Sequence, residues 1–285
     1  LSAPDLAFVR SALRRLLPDV AQLPRGLHCE HLAGGVEQRS FLVTVAARQY
    51  VLRLRADAMV ALLDIETEAR VMGAVAAAGL APRVIAADRE TGALLTEYRP
   101  GATPWTPAAA RAAANIDRAA DLLRALHSVR ATLPRFAATD IAERYFADLA
   151  AGGRHDVTLS EELARLARAY DGHYRADSLC HNDLVAANVL DGGGLVLVDF
   201  EYAVCGAPIL DLASLAGMND YTESQRRELL RAYYGERVPV TSAEFADVVR
   251  MVRLFAMFWA LLAAGRSAEA SGYLQLAEHM RQPLE

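Results

Sequence analysis

No lysine occurs anywhere in this 285-residue chain, and all 30 basic residues are arginine. Chemistry that calls on a lysine, phosphate binding included, must here use a guanidinium, a planar fork that stays charged and grips oxyanions in bidentate fashion. Cysteine is scarce too: Cys29, Cys180 and Cys205 stand far apart, with no C-x-x-C pair. That argues against a disulfide framework and leads us to expect a reducing, cytoplasmic location. Excess positive charge is also missing. The net charge of −5 leaves no basic footprint for nucleic acid. Long apolar runs are lacking; the longest, Leu254 to Ala264, is too short for a bilayer, so no membrane association is expected. Segment 1–22 interleaves Arg10, Arg14 and Arg15 with Leu6, Val9, Leu13 and Leu16, an amphipathic helix rather than the apolar core of a signal peptide.

What is present describes a globular protein: 53% hydrophobic and 23% charged residues. Leu27 to Leu32, Ser40 to Ala46, Gln49 to Leu54, Val84 to Ala87 and Ala93 to Glu97 read as strands. Between the third and fourth, Ala58 to Ala78 has helical spacing and ends at Gly79. Arg99-Pro100-Gly101 breaks the pattern, which suggests a small α+β lobe over residues 1–99. Residues 100–285 read as mainly helical, over Pro107 to Arg130, Ile141 to Ala151, Ser160 to Tyr174, Glu223 to Tyr234 and Ser242 to Ala264. Ser160 and Thr222 are the expected starts of two of these helices.

The most informative stretch is CHNDLVAANVLDGGGLVLVDFEY, from Cys180 to Tyr202. Asp183, an Asn five residues on and Asp199 closing an apolar strand have the order and spacing of a protein-kinase catalytic centre. Phosphoryl transfer needs little more: one carboxylate to orient the attacking hydroxyl, and an amide oxygen and a second carboxylate for Mg²⁺. With His181 included, four fixed positions arise by chance in a chain of this length on the order of once in several hundred sequences.

From about Leu32 to Tyr273 the chain resembles the aminoglycoside phosphotransferase and choline kinase superfamily. HNDLVAANVL and LVDFEYAVCGAPILDLASL look closest to its choline/ethanolamine kinase branch. The resemblance implies a protein-kinase-like fold with two lobes, ATP and Mg²⁺, and transfer of the γ-phosphate to the hydroxyl of a small molecule. It makes Asp183 the catalytic carboxylate, Asn188 and Asp199 the metal ligands, and His181 and Asp211 supports of the loop. Gly34 and Gly35 would form the nucleotide-covering turn. Arg53 would stand where the phosphate-gripping lysine usually sits, with Arg55, on the same strand face, as competitor. Glu68 would pair with it, Glu66 being the alternative, and Glu97 and Tyr98 would offer the backbone that binds adenine. His127 reads as a packing histidine.

Choline binding relies on aromatic faces around a quaternary ammonium. Tyr202, Tyr221, Tyr234, Trp259 and Tyr273 are candidates, and Trp259 matches a pocket tryptophan in the resemblance. Glu201 and Tyr202, just past Asp199, join the substrate set. The family commonly has an acidic residue where this chain reads Ala216-Gly217-Met218-Asn219, which Asp220 or Glu223 would replace. Choline or ethanolamine is the expected acceptor. An aminoglycoside, thiamine or sugar kinase, or a silent nucleotide-binding protein, is the alternative.

Overall fold

The structure, a computed structural model, describes residues 3–18, 27–32, 38–45, 47–55, 63–152, 156–267 and 270–284. By contact the chain forms two compact units: Leu1–Pro104 with Leu190–Tyr202, and Trp105–Val189 with Ala203–Glu285. Neither unit is a single continuous segment, because the stretch ending in Asp199 and Glu201 groups with the N-terminal one.

The N-terminal unit contains α1 (Ala3–Leu16), β1 (His28–Leu32), β2 (Gln38–Val45), β3 (Arg48–Arg55), α2 (Ile65–Ala77), β4 (Val84–Asp88), β5 (Ala93–Glu97) and the short β6 (Thr103–Pro104). The first five strands form an antiparallel sheet in the order β1-β2-β3-β5-β4. Leu52 of β3 pairs with Phe41 and Leu95, and Arg53 with Ser40 and Leu94. Alternation sends successive side chains to opposite faces. Leu52 and Leu54 therefore join Phe41, Val43 and Leu95 in a core closed by Val9, Leu13 and Leu16 of α1. Arg53 and Arg55 point the other way, toward α2.

Helix α2 begins at Ile65, and residues 58–62 of the expected helix lie outside the described residues. Asp64 caps it, accepting from the N–H groups of Glu66 at 3.0 Å and Thr67 at 2.9 Å.

The C-terminal unit is mainly helical: α3 (Pro107–Ala110), α4 (Ala113–Ser128), α5 (Ala138–Ala151), α6 (Val157–His173), α7 (Pro208–Met218), α8 (Glu223–Tyr234), α9 (Ser242–Arg266) and α10 (Ala270–Arg281). Short strands β7 (Ser178–Cys180) and β10 (Val204–Gly206) pair within it, while β8 (Val189–Asp191) lies between β6 and β9 (Leu195–Leu197). The α+β fold class expected from sequence is present.

Three helix starts differ from the sequence reading. The run over 107–130 splits, with Asn115 Nδ2 donating to the Ala109 carbonyl at 2.9 Å beside the break. Helix α5 starts at Ala138 because Asp171, on α6, accepts from the N–H groups of Ala138 and Thr139 at 2.9 Å each. Helix α6 uses Asp156, rather than Ser160, as its cap. By length and composition α9 could cross a membrane, but 67% of its apolar window is buried. It serves as a core helix, packed on α7 and α10.

Candidate active site

The N-terminal unit builds a cluster of charges around β3. Glu68 is completely buried, and its two carboxylate oxygens are divided between two arginines. Oε1 takes Nη2 of Arg53, and Oε2 takes Nη2 of Arg55 at 2.8 Å. The other terminal nitrogen of Arg53 binds Oδ1 of Asp199. Arg55 Nη1 donates to the Leu63 carbonyl at 2.9 Å, and its Nε lies 3.5 Å from Oε2 of Glu201. Burial alone would lower the pKa of Arg53, but Glu68, Asp199 and Glu201 outweigh it and hold the guanidinium above its ordinary value. Burial and then the charge of Asp199 push the Glu201 carboxyl up to about 8. Asp199 itself adopts a positive φ of 70°, a conformation that side chains disfavour and that clusters at functional sites.

These contacts decide which glutamate meets the strand arginines. Glu68, not Glu66, pairs with the strand arginine; Glu66 is exposed and lies 3.9 Å from Arg89. Arg53 binds Asp199, while Arg55 shares its glutamate. Glu201 is only 3% exposed and sits beside Arg55, so the substrate-side place expected for its side chain is corrected to a buried place in this cluster. Glu97 ends β5, its N–H donating to the Arg83 carbonyl at 2.9 Å, and the Tyr98 N–H donates to the Gln49 carbonyl at 3.3 Å. Gly34 and Gly35 lie outside the described residues.

The C-terminal unit holds the other half of the motif on a loop fixed by α7. Asp211 is completely buried; its Oδ2 accepts from the His181 N–H and its Oδ1 from the Asn182 N–H, both at 2.8 Å. One turn on, Ser214 Oγ accepts from the Leu184 N–H at 3.0 Å. Asn219, just past the helix, accepts from the Ala186 N–H at 2.9 Å and donates to the Leu184 carbonyl at 2.8 Å. The loop carrying Asp183 is thus held through the backbone N–H groups of His181, Asn182, Leu184 and Ala186. Asn188 Nδ2 donates to the Asp183 carbonyl and to its Oδ2, both at 2.9 Å. The amide is thereby oriented with Oδ1 outside these bonds. Asn182 makes the turn with a φ of 63°.

His127 does more than pack. Its Nδ1 meets the Tyr233 hydroxyl at 2.7 Å and its Nε2 meets Asp211 Oδ2 at 3.1 Å, so the ring braces the carboxylate that braces the loop. Sequence reasoning missed Ser214 and Asn219. The available signal was a polar pair three residues apart, Asp211 and Ser214, in an otherwise apolar helix.

Oxygen donors from Asn188 and Asp199 suit a hard cation such as Mg²⁺, which prefers carboxylate and amide oxygens to nitrogen or sulfur. The residues present therefore fit the ion that the motif implies.

A model of the phosphotransferase enzyme family, the APH group, matches residues 28–245. The chain belongs to this family. Among curated proteins no sequence match is found. Solved structures of similar fold include choline kinase LicA from Streptococcus pneumoniae, with TM-score 0.80 and 18% identity over 97% of this chain and 99% of that one. A choline/ethanolamine kinase family protein from Mesorhizobium loti is 25% identical, with TM-score 0.74 over 96% and 95% of the two chains. The spectinomycin phosphotransferase APH(9)-Ia, solved with ADP and spectinomycin, has TM-score 0.64 and 12% identity over 96% and 95%. The fold of this phosphotransferase is therefore protein-kinase-like.

The acceptor candidates fare unequally. Trp259 is half-buried on α9 and meets Tyr273 of α10 edge-on, with ring centroids 6.0 Å apart. Tyr221 is fully buried, its hydroxyl bonded to the Ala110 carbonyl at 2.5 Å, so it is corrected to a core residue. In the stretch Ala216-Gly217-Met218-Asn219, Asn219 is buried and its side chain serves the loop backbone. Asp220 receives Arg253 Nη1 at 2.8 Å on one oxygen and His279 Nε2 at 3.0 Å on the other. Tyr202 and Tyr234 are half-buried.

Proposed function

We propose that this phosphotransferase moves the γ-phosphoryl group of ATP to the hydroxyl of a small amino alcohol, choline or ethanolamine. The single observation that carries the reaction is the Asp183–Asn188 pair on a loop whose backbone is pinned by Asp211, Ser214 and Asn219. A carboxylate held this way can orient a hydroxyl and accept its proton as the phosphorus–oxygen bond forms. Asn188 and Asp199 would hold Mg²⁺, which when bound neutralises charge on the phosphates. Arg53, fixed by Glu68, would grip the phosphate oxygens with its fork. Backbone groups at Glu97 and Tyr98 would meet adenine. On the acceptor side, half-buried Trp259, with buried Tyr273 edge-on beside it, would offer an aromatic face of the kind that attracts a quaternary ammonium.

The test is ADP release with choline, ethanolamine, thiamine, sugars, spectinomycin and aminoglycosides as acceptors. Turnover with choline or ethanolamine at least tenfold above the others is expected. Preference for an antibiotic or a sugar would move the protein to another branch of the family, and no release with any of them would leave only nucleotide binding.

A further inference from the structure

Glu68 serves two arginines, one on each of its carboxylate oxygens. The second arginine has further partners. Arg55 also holds the Leu63 carbonyl at 2.9 Å, immediately before the Asp64 cap of α2. It lies 3.5 Å from Glu201, two residues beyond Asp199. Leu63 and Glu201 are themselves joined, the Leu63 N–H donating to the Glu201 carbonyl at 3.0 Å. These contacts close a ring from β3 to the start of α2, on to the segment after Asp199, and back to β3. Arg53, two residues away on the same strand face, makes the parallel links to Glu68 and Asp199.

We propose that Arg55 is a positioning residue for phosphoryl transfer: it fixes Glu68 and the Asp199–Glu201 segment so that Arg53 and Asp199 meet the nucleotide in productive geometry. The inference rests on the function proposed above and assigns Arg55 no contact with substrate. Its geometry requires a fork. An ammonium is a point charge and does not span Glu68, the Leu63 carbonyl and Glu201 together.

The experiment compares Arg55→Met, Arg55→Lys and Arg53→Met with the unaltered protein. ADP binding with Mg²⁺ is measured by calorimetry, and kcat and the KM for ATP are measured with choline or whichever alcohol of the screen turns over. Arg55→Met should lower kcat about 10- to 100-fold, the scale expected when reacting groups are misplaced by about an ångström. ADP affinity and the KM for ATP should change less than about threefold, while Arg53→Met weakens ADP binding about tenfold or more, the scale of one charge-assisted contact. Arg55→Lys should not restore kcat. A merely structural role would lower the melting temperature without separating kcat from nucleotide affinity.

Three results would overturn the inference: an Arg55→Met protein with unaltered kcat, a loss of ADP binding equal to that of Arg53→Met, or full rescue by Arg55→Lys. Should Arg55→Met fail to fold, Arg55→Lys keeps the charge and is read by the same two quantities. If the unaltered protein releases no ADP with any alcohol, the function fails and the inference with it. Normal turnover with Arg55 variants that break the pattern removes the inference alone.

Discussion

The two halves of the catalytic motif are held by opposite means. In the N-terminal unit, Arg53, Arg55, Glu68, Asp199 and Glu201 are positioned by ion pairs between side chains. In the C-terminal unit, the Asp183 loop is positioned by its own backbone, bonded to Asp211, Ser214 and Asn219. Ion pairs can exchange partners when a polyanion arrives, because each charge needs only another charge nearby. Backbone bonds fix the path of the chain whatever is bound. The difference suits the roles proposed: charges that receive a triphosphate and its metal, and a carboxylate that must stand still.

The sharpest way to break the C-terminal half is Asp183→Ala. It should lower kcat by about 10³-fold or more while ADP affinity stays within about threefold, since only the reacting carboxylate is lost. Normal turnover would sink the mechanism. Breaking the other half by Arg53→Met should weaken nucleotide binding and also leave buried Glu68 with Arg55 alone and half-buried Asp199 without this counter-charge, at a cost of up to about 3 kcal/mol read from chemical denaturation. Asp211→Ala removes the acceptor of two backbone N–H groups in or near the core. A stability loss of about 1–3 kcal/mol per stranded group and a fall in kcat should follow, whereas Ser214→Ala should cost less than half as much.

The acceptor side is tested more gently. Trp259→Ala should raise the KM for choline about tenfold with the KM for ATP unchanged, the worth of one cation–π face. An unchanged choline KM would remove Trp259 from the pocket.

The smallest effect concerns the packing of α1, where Arg15 donates to Asp88 at 2.6 Å. The Arg15 hydrogen bond holds the Asp88 carboxyl down at about 2, below its ordinary 3.8. A depressed carboxyl stabilises the fold fully above the unfolded value and loses that contribution as pH falls from about 3.8 through about 2. Asp88→Asn should therefore flatten the acid limb of a melting-temperature profile and leave its slope near neutrality unchanged.

Much of this was legible in the chain itself. Strand alternation put Arg53 and Arg55 on one face, and the helix start expected at Thr222 is present, closed by a capping box with Gln225. Helix starts were less legible where the cap is remote, as at Ala138, whose cap belongs to another helix. Glu201 reads as a polar residue beside the motif; only folding reveals it as buried next to Arg55. Tyr221 likewise looked available to a ligand until its hydroxyl was found bonded in the core.

By itself the sequence determined the motif and its order, Asp183, Asn188 and Asp199 with arginine in place of lysine, on which the proposed reaction rests. Local spacing is enough for that, because phosphoryl transfer asks for few side chains in a short stretch. Tertiary structure alone decided which glutamate meets which arginine, and that Asp211, Ser214 and Asn219 hold the loop. Such choices depend on which faces are buried together, and an unpaired charge or N–H group in a low-dielectric interior costs too much to be left to chance.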